Sequence, residues 1–149
     1  MAQAWRIVKQ KHAATAFSGE GAAIAGGRWN SRGMRVVYAS STLSLAALES
    51  LVHLNPPVFF KYVAFPLEFP DTFITNPPSL PADWMLEPPG PSSQAIGDAW
   101  VETGQSAVLA VPTVLIPSET NYLLNPMHPD FKKISIGKPQ PFAFDPRLL

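Results

Sequence analysis

The chain has 149 residues, 46% of them hydrophobic and 15% charged, and its formal net charge is zero. This length and composition predict one domain, residues 1–149, that buries a hydrophobic core without a metal or a disulfide. The absence of cysteine excludes disulfides, zinc–thiolate sites and cysteine nucleophiles. Basic side chains are concentrated in residues 1–35, which suits a compact phosphate-bearing ligand better than a long nucleic-acid tract. We therefore expect no direct binding of nucleic acid by this chain.

Neither a signal sequence nor a membrane span is evident. No basic-then-apolar segment opens the chain. The longest apolar run, residues 107–117, is interrupted by Pro112 and is shorter than the roughly 20 residues that a spanning helix needs. We therefore expect a cytoplasmic protein that does not associate with a membrane.

The first third of the chain contains no proline and predicts regular structure. Residues 4–8, AWRIV, predict a strand, residues 11–17 a helical segment and residues 18–21 a turn. The GEG triplet within that turn does not complete a dinucleotide loop, because position 24 is isoleucine rather than the third glycine. No Walker lysine follows a glycine-rich loop either, so both of these phosphate loops are excluded.

The segment around Arg28 is the best candidate for chemistry. Two glycines precede this arginine, which predicts a side chain at the rim of a site where a ligand approaches the main chain. Residues 35–39 predict a strand, and the hydroxyls at 40–42 offer N-caps for the helix that follows. The helical spacing places Glu49 at the edge of the buried stripe. That stripe is predicted to consist of Leu45, Leu48, Leu51 and Val52.

All seventeen prolines lie in the later part of the chain. Residues 58–69 predict a strand that Pro66 confines to an edge or a bulge. The chain is expected to leave the sheet at this proline. Residues 76–91 predict an extended excursion that Trp84 and Met85 hold against the body of the protein. A proline-rich ligand for a partner domain is the alternative interpretation of that segment.

The last third predicts one helix and two strands. The helix runs from a cap at Ser92 or Ser93 to about Glu102 and is ended by Gly104. Residues 107–116 predict a buried strand with a bulge or an edge position at its proline, and residues 141–144 predict the last strand.

Residues 117–129 predict a loop between these two strands. Asn121, Asn125 and His128 stand there among turn-forming residues. They either cap local structure or touch a ligand, and the sequence pattern does not choose between the two.

Several kinds of site are excluded by spacing. The histidines at 12, 53 and 128 have no metal-binding spacing, and no G-x-S-x-G motif is present. A glycosidase of the usual kind would need a second carboxylate beside Glu49, and no spacing supplies one. What remains is a set of arginine, tyrosine, glutamate and hydroxyl side chains. Such a set can stabilise a sugar cation with the carboxylate while the arginine holds phosphate groups.

A series of short motifs resembles a known family over nearly the whole chain. The sequence resembles the RES-domain toxins of bacterial Xre-RES toxin-antitoxin pairs, and the order and spacing of the motifs carry the resemblance. The motifs are WRI at 5–7, FSGEG at 17–21, GRWN at 27–30, VYAS at 37–40, ALE at 47–49, VPT at 111–113, NYLLNP at 121–126 and HP at 128–129.

The resemblance implies a fold and a site. The fold is an α+β domain with a mixed, split β-sheet and flanking helices, similar to ADP-ribosyltransferases, and the substrate is NAD with no further cofactor or metal. By resemblance Arg28 binds phosphate, Tyr38 stacks on nicotinamide and Glu49 engages the ribose, and these three are the expected catalytic residues. Thr113, where the family usually has serine, and Asn121 are expected to orient the nicotinamide side of NAD.

The resemblance also implies partners and leaves alternatives open. The expected partner is an Xre-family antitoxin that competes at a basic rim formed by Arg28, Arg32 and Arg35, and a homodimer within the complex is left open. The expected reaction is cleavage of NAD; transfer of ADP-ribose to a protein and a non-catalytic nucleotide- or partner-binding module are the alternatives. Each candidate also has a structural explanation, such as a helical pair between Glu49 and His53.

Overall fold

The computed structural model describes residues 1–53 and 60–148. In this part of the chain eight strands form one sheet, and three α-helices and four short 3-10 segments surround it. The strands are β1 Ala2–Lys9, β2 Val37–Ser40, β3 Tyr62–Phe69, β4 Ile74–Thr75, β5 Val108–Pro112, β6 Thr120–Leu124, β7 Ser135–Ile136 and β8 Gln140–Phe142. The helices are α1 Glu20–Ala25, α2 Leu43–Leu51 and α3 Pro91–Thr103, and the 3-10 segments are Gln10–Thr15, Asp71–Phe73, Pro129–Lys133 and Pro146–Leu148.

The sheet is mixed and opens near its middle. Its strand order is β4-β5-β6-β2-β1-β3-β7, with β8 also paired to β3. Only β4 and β5 are parallel among the described strand pairs. β1 pairs with β3 along its whole length but meets β2 in register only at Trp5 and Ser40. The predicted mixed sheet with flanking helices is therefore confirmed, and the opening between β1 and β2 makes room for a cleft.

Hydrophobic residues cover both faces of the sheet. Val108 and Leu124 belong to one buried cluster, while their chain neighbours Leu109 and Leu123 belong to another. Because successive residues of a strand point to opposite faces, the two clusters lie on opposite sides of the sheet. α3 contributes Trp100 to the second cluster and so covers that face.

Several predicted elements are confirmed and some are wrong in detail. β1, β2 and β8 form where predicted, and Thr42 caps α2 by accepting a hydrogen bond from the Leu45 amide. The turn predicted over residues 18–21 is confirmed at residues 18 and 19, where Gly19 has a φ of 76°, but wrong at residues 20 and 21, because a helix begins at Glu20. The predicted serine caps of α3 are also wrong, since Gly90 is the N-cap and the proline after it occupies the first turn.

The buried face of α2 differs from the predicted stripe. Leu45 and Ala46 are buried, whereas Leu48 is 38% exposed and Val52 is 57% exposed. The helix packs against β1 and β2, and the residues that it buries are Leu45 and Ala46. Glu49, predicted at the edge of the leucine stripe, lines the cleft.

The prediction that the chain leaves the sheet at Pro66 is wrong. β3 continues through this residue, which lies opposite Trp5 in an unbroken register with β1. The Pro66 carbonyl accepts a hydrogen bond from the Gly137 amide at 2.8 Å, so the main chain here faces the junction between β7 and β8. Proline has no N–H to donate, and none is needed here because neither β7 nor β8 pairs with Pro66. Residues 58 and 59 of the predicted strand lie outside the described residues.

The region predicted as a loop contains a central strand. β6 occupies Thr120–Leu124 and pairs with both β2 and β5. β5 ends at Pro112, earlier than predicted. The excursion over residues 76–91 has no strand or helix before Pro91, as predicted, but Met85 is 44% exposed and does not hold it in place.

Candidate active site

A cleft of about 970 Å³ opens where β1 and β2 separate. Its wall is formed by both strands, by one side of α2 and by the segment that follows β5. All five predicted site residues line it: Arg28, Tyr38, Glu49, Thr113 and Asn121. The fold therefore brings together side chains that are up to 93 positions apart in the sequence.

Glu49 is held through one of its oxygens by Thr113, which directly follows β5, and by Asn121 of β6. The Thr113 hydroxyl donates a short hydrogen bond to Glu49 Oε1, and Asn121 Nδ2 donates to the same oxygen at 3.0 Å. No donor among the described residues contacts Oε2. The carboxylate is thus fixed at one oxygen and keeps the other for a ligand.

The two donors to Glu49 are themselves oriented by the sheet. Ser40, which lies opposite Asn121 in the register of β2 and β6, donates its hydroxyl to Asn121 Oδ1 at 2.7 Å. This bond determines which end of the Asn121 amide faces Glu49. Thr113 is 1% exposed, and its hydroxyl accepts a hydrogen bond from the Leu115 amide at 3.2 Å. No ion pair between Glu49 and His53 is found among the described residues, so the helical-pair alternative lacks support.

Arg28 projects toward the proline-rich segment. Its Nη1 donates to the carbonyl oxygens of Trp84 at 2.9 Å and Leu86 at 2.7 Å. Its Nη2 donates to Glu87 Oε2 at 2.7 Å in an ion pair, and the arginine side chain is only 16% exposed. The positively charged group is therefore preset in one orientation at the wall of the cleft.

The turn that carries Arg28 requires a glycine at position 27. A Cβ added there would lie 2.7 Å from the Tyr38 hydroxyl and 2.9 Å from Asn30 Oδ1. These two groups need that space because Tyr38 donates to Asn30 Oδ1 at 2.6 Å and accepts from the Trp29 amide at 3.1 Å. Asn30 is completely buried.

The hydroxyl of Tyr38 is therefore structural. Burial raises the pKa of the Tyr38 phenol well above its usual value, which keeps it neutral at physiological pH. The proton of the phenol is donated to Asn30 Oδ1 and its oxygen accepts from the Trp29 amide, so the hydroxyl is engaged within the protein. Tyr38 itself lines the cleft.

Side chains of α3 hold the main chain of residues 27–31, the turn that carries Arg28. The sequence analysis did not predict these contacts. Ser93 donates to the Arg28 carbonyl at 2.7 Å, and Gln94 Nε2 donates to the Gly27 carbonyl at 3.0 Å. One turn further along, Asp98 Oδ1 accepts a hydrogen bond from the Ser31 amide at 2.9 Å. Three side chains on one side of a helix thus fix the main chain on which Arg28 stands.

Arg6 is a second cation of the cleft that sequence reasoning did not select. It bridges the opening in the sheet: its Nε donates to the Ala16 carbonyl at 2.7 Å and its Nη1 to the Tyr38 carbonyl at 2.8 Å. Burial lowers the pKa of Arg6 to about 10, so it remains protonated at neutral pH. No carboxylate pairs with it among the described residues. The available signal was a single charged residue inside the apolar run AWRIV.

Other predicted residues lie away from the cleft. The side chains of Arg32 and Arg35 are exposed and do not line it, so the predicted basic rim is reduced to Arg28. Asn125 Oδ1 accepts from the Met127 amide at 3.0 Å and His128 Nδ1 from the Asp130 amide at 3.0 Å. These two residues cap local turns.

The described residues contain neither a metal-binding cluster nor a membrane-spanning helix. No cluster of three histidine, cysteine or acidic side chains that could hold a metal occurs among them. Nor does any helix in residues 1–53 and 60–148 have the length and apolarity to cross a membrane.

Comparison of the sequence with known proteins identifies the family of the chain. The RES domain profile matches residues 3–145, and the chain belongs to the RES domain family. It is 40% identical over 154 residues to the Prs ADP-ribosylating toxin of Sphingobium sp. (strain YBL2), covering 97% of this chain and 95% of that protein. It is 38% identical over 148 residues to Toxin Res of Yersinia enterocolitica serotype O:8 / biotype 1B, covering 97% of both.

The fold is also that of a solved structure. The crystal structure of the M. tuberculosis MbcT–MbcA toxin-antitoxin complex contains a chain that superposes with a TM-score of 0.75. The match covers 95% of this chain and 84% of that chain at 16% identity, so it establishes the likeness of fold. The match of the RES domain model and the identity to the two toxins confirm the resemblance to the RES family that the motifs indicated.

Proposed function

We propose that this protein is the toxin of a bacterial toxin-antitoxin pair and that it cleaves NAD at the bond between nicotinamide and ribose. The observation that carries the proposal is Glu49, which lines a cleft together with two arginines and whose Oε1 is fixed by two donors, while Oε2 has no donor among the described residues. A fixed carboxylate in such a site can stabilise positive charge as it develops on a sugar. The names of the relatives, Toxin Res and Prs ADP-ribosylating toxin, support the part of the proposal that makes this protein a toxin.

The reaction follows from where the charges lie. NAD carries two negative charges on its diphosphate, and Arg28 and Arg6 supply two positive ones in the same cleft. With the diphosphate held by arginine, the nicotinamide riboside end extends toward Glu49. The bond from ribose C1′ to the pyridinium nitrogen breaks with its electron pair leaving on nicotinamide, which becomes neutral. Water then adds to C1′ and releases a proton, giving ADP-ribose and nicotinamide.

Each side chain has one role in this scheme. Glu49 stabilises the cationic ribose through Oε2 and accepts a hydrogen bond from a ribose hydroxyl. Thr113 and Asn121 hold Glu49 in place through their hydrogen bonds to Oε1. The ring of Tyr38, which lines the same cleft, stacks on the pyridinium ring. The loss of one preorganised charge of this kind slows catalysis by roughly a hundredfold or more.

Transfer of ADP-ribose to a protein is the second candidate, and the name of the Sphingobium relative favours it. The same cleavage of the C1′ bond would then be followed by attack of a protein side chain in place of water. NAD with a radiolabel in its adenylate half separates the two reactions. Label that stays on a protein after denaturation means transfer, whereas label found only in free ADP-ribose means hydrolysis.

We propose an Xre-family antitoxin as the partner. The complex of MbcT with MbcA shows that a protein of this fold assembles with an antitoxin, and an NAD-consuming enzyme needs restraint in the cytoplasm where we place it. An antitoxin that places an acidic group at Arg28 would compete with the diphosphate. Inhibition that weakens as NAD is raised supports this competition; inhibition that is equal at every NAD concentration contradicts it. The mass of the purified complex in solution tests the homodimer.

Incubation of the purified protein with NAD tests the reaction itself. We expect release of free nicotinamide, and we expect Glu49→Gln to slow this release by roughly a hundredfold or more. A non-catalytic binding module would bind NAD and release none.

A further inference from the structure

The anion-binding arginine of the cleft already holds a carboxylate of its own chain. We propose that Glu87 is an internal competitor of phosphate at Arg28 and so sets the concentration at which a phosphate-bearing ligand binds. This inference rests on the proposed role of Arg28 as the phosphate-binding residue. It adds a residue from the proline-rich segment to those that determine substrate binding.

The three hydrogen bonds of Arg28 divide its guanidinium into two parts. Nη1 has two N–H groups, and the carbonyl oxygens of Trp84 and Leu86 accept from this atom at 2.9 and 2.7 Å. Nη2 donates to Glu87 Oε2 at 2.7 Å. The second N–H of Nη2 and the N–H of Nε have no acceptor among the described residues. One part thus serves to orient the group, and the other is the edge on which an anion binds.

That edge is the one suited to phosphate. Nε and Nη2 form a planar fork that matches two oxygens of a phosphate group. Glu87 Oε2 already accepts from Nη2, one of the two nitrogens of this fork, so its negative charge lies beside any phosphate that binds there. A phosphate on Nε and Nη2 therefore competes with the Glu87 carboxylate for the same nitrogen and is repelled by its charge, while the two carbonyl contacts of Nη1 stay intact.

The Glu87 carboxylate can separate from Arg28 by turning into solvent. Its side chain is 74% exposed, whereas that of Arg28 is 16% exposed. Solvent therefore stabilises the carboxylate once it separates from Arg28. An exposed ion pair of this kind typically changes an equilibrium constant by a factor of roughly two to five, and we expect a change of this size in phosphate binding at Arg28.

The segment itself need not move when the side chain does. Trp84 stacks on the buried Trp29, with ring centroids 6.1 Å apart and an angle of 26° between the rings. The carbonyl oxygens that orient Arg28 therefore stay in place when Glu87 turns toward water. The exchange is a rotation of one side chain.

The test measures binding of ADP, which carries a diphosphate but no nicotinamide, by calorimetry at low salt. We expect Glu87→Gln to lower the Kd of ADP by about two- to fivefold. The matched control is Asp83→Asn, which removes an exposed carboxylate from the same segment that does not contact Arg28. Adenosine, which lacks phosphate, is expected to bind both variants as it binds the unchanged protein.

A second arm removes the arginine. In an Arg28→Lys background, which lacks the fork, we expect Glu87→Gln to change the Kd of ADP less than it does beside Arg28. Equal tightening by Asp83→Asn and Glu87→Gln would overturn the proposal in favour of a general effect of charge. Weaker binding of ADP by Glu87→Gln would overturn it too, because Glu87 would then support Arg28 rather than compete for it.

Nicotinamide release separates this inference from the proposed reaction. If NAD is cleaved, we expect Glu87→Gln to lower KM and to leave kcat unchanged. If no nicotinamide is released by the unchanged protein, the proposed reaction fails while the ADP measurement still decides the role of Glu87.

Discussion

Glu49 and Thr113 are 64 positions apart in the sequence and share a hydrogen bond in the cleft, with the threonine hydroxyl as donor. The contact joins α2, which packs against β1 and β2, to the residue that directly follows β5. Thr113 stands where the resemblance to the RES family leads us to expect serine. Since the hydroxyl and not the methyl group makes the contact, the threonine keeps the interaction that a serine would make.

Variants of Thr113 test this interpretation. Thr113→Ser keeps the donor to Glu49 and removes one buried methyl, so we expect turnover within about threefold of the unchanged protein and a loss of about 1 kcal/mol of stability. Thr113→Val keeps the shape and removes the hydroxyl, which leaves Glu49 with one donor and the Leu115 amide without its acceptor. We expect its turnover to fall tenfold or more. Nicotinamide release and thermal unfolding measure both effects; equal turnover of the two variants would show that the hydrogen bond has no catalytic role.

Arg28→Lys tests whether the shape of the cation matters or only its charge. Lysine has no planar fork and cannot serve two carbonyl groups and an anion in the same geometry. We expect the Kd for NAD to rise about tenfold with the positive charge retained. Arg35→Lys, at an exposed position outside the cleft, is the control and should bind NAD normally. Normal binding by Arg28→Lys would refute a two-pronged contact with phosphate.

Gly27→Ala tests the turn that carries the arginine. The new Cβ would meet the Tyr38 hydroxyl at 2.7 Å and Asn30 Oδ1 at 2.9 Å, so one or both groups must move. We expect a loss of about 1–3 kcal/mol of stability, as overpacking typically causes, and weaker NAD binding. Adding Tyr38→Phe removes the closer of the two contacts. Chemical denaturation should therefore show that the second change costs less in the Gly27→Ala protein than alone, whereas strictly additive losses would mean that the clash is relieved elsewhere.

Some of the site could be predicted from sequence because its signals are local. The glycines before Arg28 and the hydroxyl cap before α2 are properties of adjacent residues, and the order of the motifs indicated the family. Arg28, Tyr38 and Glu49 were found in this way, and all three line the cleft.

The rest depends on contacts between distant parts of the chain. β6 has a short hydrophobic signal and becomes a strand because β2 and β5 flank it on either side. The bond from Arg28 to Glu87 spans 59 positions, and no spacing in the sequence indicates it. The buried face of α2 was mispredicted for the same reason, since Ala46 rather than Leu48 packs inward once β1 and β2 are in place.

The most direct measurement compares nicotinamide release from NAD by the unchanged protein and by Glu49→Gln. Glutamine keeps an Oε1 that accepts from Thr113 and Asn121, so the fold and the packing of the site are expected to survive while the negative charge is lost. Thermal unfolding verifies the fold, and Glu102→Gln, an exposed change on α3 outside the cleft, controls for charge. We predict that Glu49→Gln binds NAD and releases nicotinamide at least a hundredfold more slowly, while Glu102→Gln behaves as the unchanged protein. A folded Glu49→Gln protein that releases nicotinamide at the normal rate would contradict the proposed role of Glu49 in cleaving NAD.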